Sequence, residues 1–362
     1  MMVNQKLGQI RTAIIELGID GLLVSSEHNR RYLSNFTGSA GYLLITVQDA
    51  LLITDFRYVE QAGNQSEDFR VIRMTGSDNW LPPLLIELQI QRLGFEGQYM
   101  TYTSHKRLQD LIEQSPELDT ELVPVSDVVE DMRSIKDDTE LGKLTRAIEI
   151  ADSAFAAVST QIGVGQSERE IAWQLEKAMR ELGAESISFD TIVAFGPNAA
   201  LPHHRPSDDI ISEGQPLIID MGARYQGYCS DLSRTLCLGQ PDGMFRKIYD
   251  AVLGAQLTAM ATVEAGMTGG EADNLARTVI EQCGYGDNFG HSLGHGVGLE
   301  VHERPGVGPN SSGTLNNGMV FTIEPGIYIS GWGGVRIEDV VMLVDGKSKL
   351  ISNAPKQGTL GG

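Results

Sequence analysis

The sequence predicts two domains in one chain, an N-terminal α/β domain followed by an α+β domain built on antiparallel sheet. The chain has 362 residues, which exceeds a typical single domain and suffices for two hydrophobic cores. Helical and strand-like patterns alternate over the first part of the chain, whereas helices and strands form separate blocks afterwards. We place the domains at residues 1–128 and 139–356, and an acidic stretch without strand pattern joins them.

The elements of the first domain follow one another closely. Apolar periodicity predicts a helix over residues 4–17, and GLLVSS predicts a short strand. Residues 41–55 predict a hairpin that turns near Gln48 and Asp49. The segment DNWLPPLLIELQIQ predicts a helix, and RLGFEG predicts the strand after it.

The second domain is predicted to begin with two helices. A long amphipathic pattern spans residues 139–162. In SEREIAWQLEKAMRELG, Ser167 and Glu170 form a capping box at the start of the second helix, and Gly183 marks its end. The remaining predicted elements are a hairpin at 216–238, helices at 243–265 and 269–283, and strands after 286.

Composition narrows the class of protein. The chain carries 28 Lys+Arg against 48 Asp+Glu, a net charge of −20, which argues against nucleic acid or an anionic membrane as partner. Three cysteines without metal-type spacing favour a reducing compartment. No signal peptide is evident, and no stretch approaches the roughly 18 apolar residues of a membrane span. We therefore expect a cytoplasmic protein.

An unusual pair of carboxylates lies in LIIDMGARYQGYCSDLSRT. A hairpin centred on Tyr225 and Gln226 places Asp220 opposite Asp231. Like charges directly opposite each other destabilise a sheet, and burying an unpaired ionised group costs several kcal/mol or more. The pair therefore requires a neutralising partner.

A second acidic pair has the same design. In VFTIEPGIYISGWGGVRIEDVVML, a turn centred on Gly331 places Glu324 opposite Glu338. Two such pairs repel strongly unless cations lie among them. The alternative is four separate carboxylates on solvent-facing sides of strands.

Histidines accompany the acidic pairs. The segment HSLGHGVGLEVH contains His291, His295 and His302, and glycines on both sides of His295 are expected to leave room for a ligand. GHGVG lacks the GxGxxG spacing of a dinucleotide loop. His203 and His204 lie in ALPHHRP, a proline-marked loop that suits either substrate contact or an exposed turn.

Four carboxylates and one imidazole form an oxygen-dominated ligand set. Such a set favours Mn²⁺, with Co²⁺, Fe²⁺ and Zn²⁺ as alternatives. Five ligands are too many for one tetrahedral zinc ion and suit two metal ions that share a water or hydroxide. The residues alone therefore predict a dinuclear metallohydrolase.

These motifs also carry a resemblance. GHGVGLEVHE, IEPGIY and ALPH resemble the pita-bread metallopeptidases, which include aminopeptidase P, prolidase and methionine aminopeptidase. NRRYLSNFTGSAGYLLIT and DFRYVEQA resemble the creatinase-type N-terminal domain of Xaa-Pro peptidases. The implied fold is α+β, with a C-terminal pita-bread (creatinase/aminopeptidase) domain and an N-terminal α/β creatinase-like domain.

The resemblance implies the Xaa-Pro branch of this family. Methionine aminopeptidases generally lack such an N-terminal domain and have a longer insertion between their two glutamates. Creatinase lacks the metal ligands that are intact here. Prolidase and aminopeptidase P both stay open, as do a pita-bread aminopeptidase of other specificity and a binding module without catalysis.

The resemblance also implies roles for single residues. Glu324 takes a proton from the water that attacks the peptide bond, and His203 and His302 contact the substrate. Arg336 hydrogen-bonds a ligand carboxylate or is a surface arginine. The expected substrate is a small peptide with proline second, and the expected assembly is a homodimer. The implied ligands of the two metal ions are Asp220, Asp231, His295, Glu324 and Glu338.

Overall fold

A computed structural model describes residues 3–75 and 79–360. Residues 1, 2, 76–78, 361 and 362 lie outside the described part, and so does the predicted helical position Asp78. The chain divides into two compact units, Met1–Arg133 and Ser134–Gly362. The domain limits of 1–128 and 139–356 stay a prediction.

The first unit is a mixed sheet with helices, as the alternating pattern predicts. Its strands, in the spatial order β4-β3-β2-β1-β5-β6, are β1 (Gly21–Val24), β2 (Tyr42–Thr46), β3 (Ala50–Thr54), β4 (Arg70–Arg73), β5 (Arg92–Glu96) and β6 (Glu121–Val125). Its helices are α1 (Val3–Glu16), α2 (Glu27–Ser34), α3 (Val59–Gln65), α4 (Leu81–Glu87), α5 (Tyr102–Glu113) and α6 (Val128–Ser134).

Two predictions for this unit can be compared directly with the structure. The hairpin of β2 and β3 is confirmed, because Ile45 pairs with Ala50 across a turn near Gln48 and Asp49. The helix predicted from DNWLPPLLIELQIQ is shorter than its pattern. It begins at Leu81, and Gln89, at φ 54°, cannot continue it.

The second unit contains helices and mainly antiparallel strands, which confirms the predicted α+β arrangement. Its helices are α7 (Asp138–Ser159), α8 (Glu168–Glu181), α9 (Gly243–Thr262) and α10 (Gly269–Gln282). Short 3₁₀ turns lie at Gly196–Ala200 and Gly286–Asn288. Its strands are β7 (Ser186–Ile187), β8 (Ile192–Phe195), β9 (Pro216–Met221), β10 (Ala223–Tyr225), β11 (Tyr228–Cys229), β12 (Leu232–Leu238), β13 (Gly294–Gly296), β14 (Glu303–Val307), β15 (Val320–Ile323), β16 (Gly326–Ile329), β17 (Gly333–Arg336), β18 (Asp339–Val344), β19 (Lys347–Leu350) and β20 (Thr359–Leu360).

Two sheets of this unit position the candidate site. One has the order β20-β12-β9-β8 and the other β14-β13-β15-β18-β19. Apolar side chains of α7 and α8 pack on the first sheet, and those of α9 and α10 pack on the second. The predicted capping box of Ser167 and Glu170 is confirmed at the start of α8. Among the described residues, no helix is long and apolar enough to cross a membrane.

The predicted register of the first acidic hairpin is wrong by two residues. Asp220 lies opposite Ser233 rather than Asp231. The turn is centred on Gln226 and Gly227, which have φ values of 47° and 87°. Two successive positive φ angles are typical of a type I′ turn, which matches the twist of the flanking strands. Glycine at the second position therefore moves the centre of the hairpin by one residue.

The predicted register of the second acidic hairpin is confirmed. Ile323 pairs with Asp339 on one side of the two glutamates, and Gly326 pairs with Arg336 on the other side. Counting one residue along both strands from the first pair, or two residues from the second pair, places Glu324 opposite Glu338. Gly331, at φ 80°, lies at the centre of the turn. The two glutamates lie where the ladder of β15 and β18 ends and that of β16 and β17 begins.

Candidate metal centre

A cavity of about 850 Å³ lies in the second unit, and the predicted site residues meet there. The hairpin of β9 and β12 supplies the two aspartates, and the connections between β15, β16, β17 and β18 supply the two glutamates. One histidine comes from β13, and others come from neighbouring loops. The predicted site residues that line the cavity are His203, Asp220, Asp231, His295, His302, Glu324, Arg336 and Glu338.

Three of the side chains form a tight group. One oxygen each of Asp231 and Glu338 and one ring nitrogen of His295 lie within 4.8 Å of one another. The Nε2 atom of His295 is 3.2 Å from Glu324 Oε1 and 3.6 Å from Asp231 Oδ2. Carboxylate and imidazole groups at these separations suit a divalent cation.

His295 is held so that Nε2 faces the carboxylates. Its Nδ1 atom donates to the Gly296 carbonyl at 3.1 Å, which fixes the ring as in metal-binding histidines. The expected role of the flanking glycines is corrected. A β-carbon at Gly294 would overlap the Thr322 carbonyl oxygen, and one at Gly296 would overlap that of Arg304. The glycines therefore permit close approach of neighbouring backbone rather than access of a ligand.

Two carboxylate oxygens of the acidic group accept no hydrogen bond from the described residues. Asp220 Oδ1 and Glu338 Oε1 are buried and have no hydrogen-bond partner among the described residues. Buried carboxylate oxygens are normally satisfied, so such atoms require an explanation. Metal ions among these residues would satisfy both atoms. The donor set therefore fits a divalent metal centre.

Ionisation in the cluster is strongly perturbed. Burial raises the pKa of Asp231 well above its ordinary value, and Asp220 adds to the rise. Burial and then Asp231 raise the pKa of Glu338 in the same way. Burial lowers the pKa of His295, but Glu324 and Asp231 outweigh it and bring the pKa to about 9. Without a cation, the cluster therefore retains protons that metal ions would displace.

Arg336 is buried, so the surface alternative is wrong. It is 3% exposed, and it donates to Asp220 Oδ2 at 2.7 Å and to Ser233 Oγ at 2.8 Å. Its remaining nitrogen donates to the Tyr328 hydroxyl at 2.8 Å, and that hydroxyl is 3.0 Å from His291 Nε2. Arg336 thus fixes one carboxylate of the cluster and connects it to His291.

The other histidines surround the cluster. The ring of His302 packs edge-on against that of His295, with centroids 4.2 Å apart. Burial and the neighbouring His295 lower the pKa of His302, which favours its neutral form. His203 and His204 both line the cavity, but the ring of His204 is hydrogen-bonded to the Glu168 carboxylate at 2.8 Å. His203 is the member of that pair that is suited to contact a ligand.

Sequence reasoning missed Tyr328 and Glu168. Tyr328 lies in the IEPGIY motif four residues after Glu324, and this place in the motif was a usable signal. Glu168 lies between the two residues of the capping box, and nothing in the sequence distinguishes it from a solvated first-turn carboxylate. Apolar residues that line the cavity were also not predicted, among them Phe189, Ile192 and Val301.

Comparison with family models covers both parts of the chain. Residues 142–345 match the model of metallopeptidase family M24. Residues 6–135 match the model of the creatinase/prolidase N-terminal domain. Together with the structure, these matches confirm the predicted fold class, an N-terminal creatinase-like domain and a C-terminal pita-bread domain.

Individual relatives match over nearly their whole length. An Xaa-Pro dipeptidase of Pyrococcus horikoshii is 39% identical over 98% of this chain and 99% of its own. An uncharacterized peptidase of Bacillus subtilis is 46% identical over 97% and 99%. The solved structure of an Xaa-Pro dipeptidase from Bacillus anthracis matches with a TM-score of 0.94 and 44% identity over 99% of both chains. That of an X-Pro aminopeptidase from Thermotoga maritima matches with a TM-score of 0.90 and 37% identity over 98% and 99%. The chain therefore belongs to metallopeptidase family M24 and carries the creatinase/prolidase type of N-terminal domain.

Proposed function

We propose that this protein is a metal-dependent peptidase that cleaves the bond between a first residue and proline, in dipeptides or at the N-terminus of longer peptides. The observation that carries this proposal is the convergence of four carboxylates and His295 on one cavity, where two buried carboxylate oxygens have no hydrogen-bond partner in the part of the chain that the structure describes. The similarity to Xaa-Pro dipeptidases and to an X-Pro aminopeptidase supports the substrate class.

The proposed metal centre holds two divalent ions, most suitably Mn²⁺, because its donors are mainly carboxylate oxygens. Bound ions would lower the pKa of a water molecule and polarise the peptide carbonyl. The proposed ligands are Asp220, Asp231, His295, Glu324 and Glu338.

Protein groups supply the remaining chemistry. Burial acts against the ionised form of Glu324, but the hydrogen bond from His295 outweighs it and lowers the carboxyl pKa. Glu324 is therefore ionised at neutral pH and is the proposed acceptor of the proton from the attacking water. His302, which is neutral at this pH, and His203 are proposed to donate hydrogen bonds to the substrate carbonyl as negative charge develops on it.

Selectivity for proline is proposed to arise from shape. An Xaa-Pro bond has no N–H, so a site that requires an amide donor from the scissile bond would exclude it. Phe189, Ile192 and Val301 line the cavity and provide apolar surface for a pyrrolidine ring.

Assembly and location are part of the same proposal. Cys229, Cys237 and Cys283 are free thiols, in keeping with the reducing cytoplasm. A homodimer is proposed on the family resemblance alone. The choice between a dipeptidase and an aminopeptidase for longer peptides stays open.

The test compares Ala-Pro, Ala-Ala and Ala-Pro-Ala as substrates of one Mn²⁺-loaded sample. We expect kcat/KM for Ala-Pro or Ala-Pro-Ala to exceed that for Ala-Ala by at least about a hundredfold, since one methylene held in an apolar pocket is worth about 1–3 kcal/mol of discrimination and the proline ring has two more carbons than the alanine side chain. Preference for Ala-Pro over Ala-Pro-Ala would identify a dipeptidase. Equal cleavage of Ala-Pro and Ala-Ala would indicate a general aminopeptidase, and no cleavage of any peptide by a metal-loaded sample would indicate a binding module.

A further inference from the structure

The loop that carries His203 is fastened to a single buried carboxylate. Glu168 Oε1 accepts hydrogen bonds from the Phe195 backbone N–H at 2.7 Å and from the Asn198 side chain at 3.0 Å. Glu168 Oε2 accepts from the backbone N–H of Ser207 at 2.8 Å and from its hydroxyl at 2.7 Å. One side chain therefore joins both ends of residues 195–207.

The fifth contact lies beside His203 itself. His204 Nε2 is 2.8 Å from Glu168 Oε2, so the residue after His203 is held by the same carboxylate. His203 and His204 are consecutive, and both line the metal-site cavity. A shift of this contact would therefore move the His203 backbone relative to the cavity.

Glu168 is suited to this task by its environment. It is 0% exposed, and it occupies the first helical position of α8, where the helix dipole favours a negative charge. Burial raises its pKa, but hydrogen bonds from Asn198, Phe195, His204 and Ser207 outweigh burial and leave the pKa below its ordinary value. An ionised carboxylate that accepts five hydrogen bonds is a rigid support, because its buried charge loses stabilisation whenever one of the donors is released.

We propose that Glu168 is a positioning residue for catalysis, which holds the segment 195–207 so that His203 reaches the substrate carbonyl. The proposal rests on the proposed function for the role of His203, whereas the anchoring itself rests on the five contacts. Replacement by glutamine keeps the shape but removes the charge and turns one acceptor oxygen into a donor. That amide would face protein donors, so the segment should loosen.

The kinetic test is a double-mutant cycle on the metal-loaded full chain. Glu168→Gln is expected to lower kcat/KM for an Xaa-Pro substrate by roughly 10- to 100-fold, as a displaced catalytic contact does. In a His203→Ala background, the same change should cost less than about threefold, because the group that it positions is already absent. A purely structural role would give the same fold-loss in both backgrounds and would overturn the proposal.

The matched control is Glu170→Gln, in the same helical turn. Glu170 is exposed, and its carboxylate accepts from Ser167 in the capping box without a hydrogen bond or ion pair to residues 195–207 among the described residues. This variant should retain wild-type kcat/KM to within about twofold, which is the deviation expected between sites that do not interact. A loss equal to that of Glu168→Gln would show that fraying of the helix is responsible and would refute the proposal.

Hydrogen–deuterium exchange followed by mass spectrometry provides a readout without activity. Peptides covering residues 195–207 should exchange faster in Glu168→Gln than in the wild type or Glu170→Gln, and peptides covering 217–236 should not change. Unchanged exchange at 195–207 would refute the anchoring. A wild type without Xaa-Pro activity would refute the proposed function and the catalytic role with it, while the exchange result would still decide whether Glu168 anchors the segment.

Discussion

The metal-free protein should lose stability as the pH rises from 7 to 9, and His295 sets the size of the effect. The folded-state pKa of His295 is about 9, against an ordinary value of 6.5. A histidine whose pKa is higher in the folded state than in the unfolded state stabilises the fold. This stabilisation is complete below the unfolded-state pKa and is lost as the pH rises through the folded-state pKa. A rise of ~2.5 pKa units corresponds to about 3 kcal/mol, of which about 2 kcal/mol is lost between pH 7 and 9.

The carboxylates do not reverse this trend. The pKa values of Asp220, Asp231 and Glu338 are raised in the fold by burial, so their deprotonation also destabilises the metal-free state as the pH rises. Metal ions should invert the slope, because they compete with protons for the same ligands and bind more tightly at higher pH. A stability that falls as the pH rises therefore indicates that protons neutralise the cluster. A stability that increases as the pH rises indicates that metal ions neutralise it.

The assay is native-state hydrogen exchange of peptides from β9 and β12 in increasing urea, at pH 7, 8 and 9, with chelator or with Mn²⁺. His295→Asn should flatten the slope of the metal-free protein, whereas the control His105→Asn, which replaces a histidine of the first unit, should leave it unchanged. A metal-free stability that is constant or that increases between pH 7 and 9 would show that His295 is not protonated in the folded metal-free protein at neutral pH.

Two further predictions concern substitutions. Glu324→Ala and Asp231→Asn should each reduce Xaa-Pro cleavage at least tenfold with metal supplied. The far-ultraviolet circular dichroism spectrum should stay unchanged, since both substitutions alter the site rather than the core. Activity above a tenth of wild type would count against the proposed ligands. Arg234→Met should destabilise the protein by about 3 kcal/mol in urea unfolding, because it removes one of the two cations that pair with the buried Asp339 at 2.7 Å, the other being Lys356, and also removes a donor to the Ala354 carbonyl. Arg70→Met, which breaks an exposed pair, is its control and should have no measurable effect, so equal losses in the two variants would contradict the argument.

Secondary structure and the identity of the acidic set were accessible from sequence because both leave local signals. Capping residues mark the start of α8, and carboxylates in apolar strands are conspicuous. The register of the second hairpin was also accessible, because Gly331 lies at the centre of its turn. The register of the first was not, because Gln226 takes a positive φ that a residue of this type rarely adopts.

Contacts between distant segments were not accessible from the sequence. Glu168 and Ser207 are 39 positions apart, and a first-turn glutamate has the same local signature whether it is solvated or buried. The glycines beside His295 illustrate a second limit. Their local pattern suggested space for a ligand, but the atoms that require them belong to Thr322 and Arg304 on other segments.

The proposed function requires the cluster to hold two metal ions on which Xaa-Pro cleavage depends. The decisive measurement titrates Mn²⁺ into chelator-treated protein, while native mass spectrometry counts the bound ions and Ala-Pro cleavage is measured in the same samples. We predict two ions per chain at saturation, with cleavage absent from the ion-free protein and rising as the ions bind. Full cleavage by the ion-free protein would show that the metal ions are not required, and two bound ions without any cleavage of Ala-Pro or Ala-Pro-Ala would show that the metal centre does not serve Xaa-Pro cleavage.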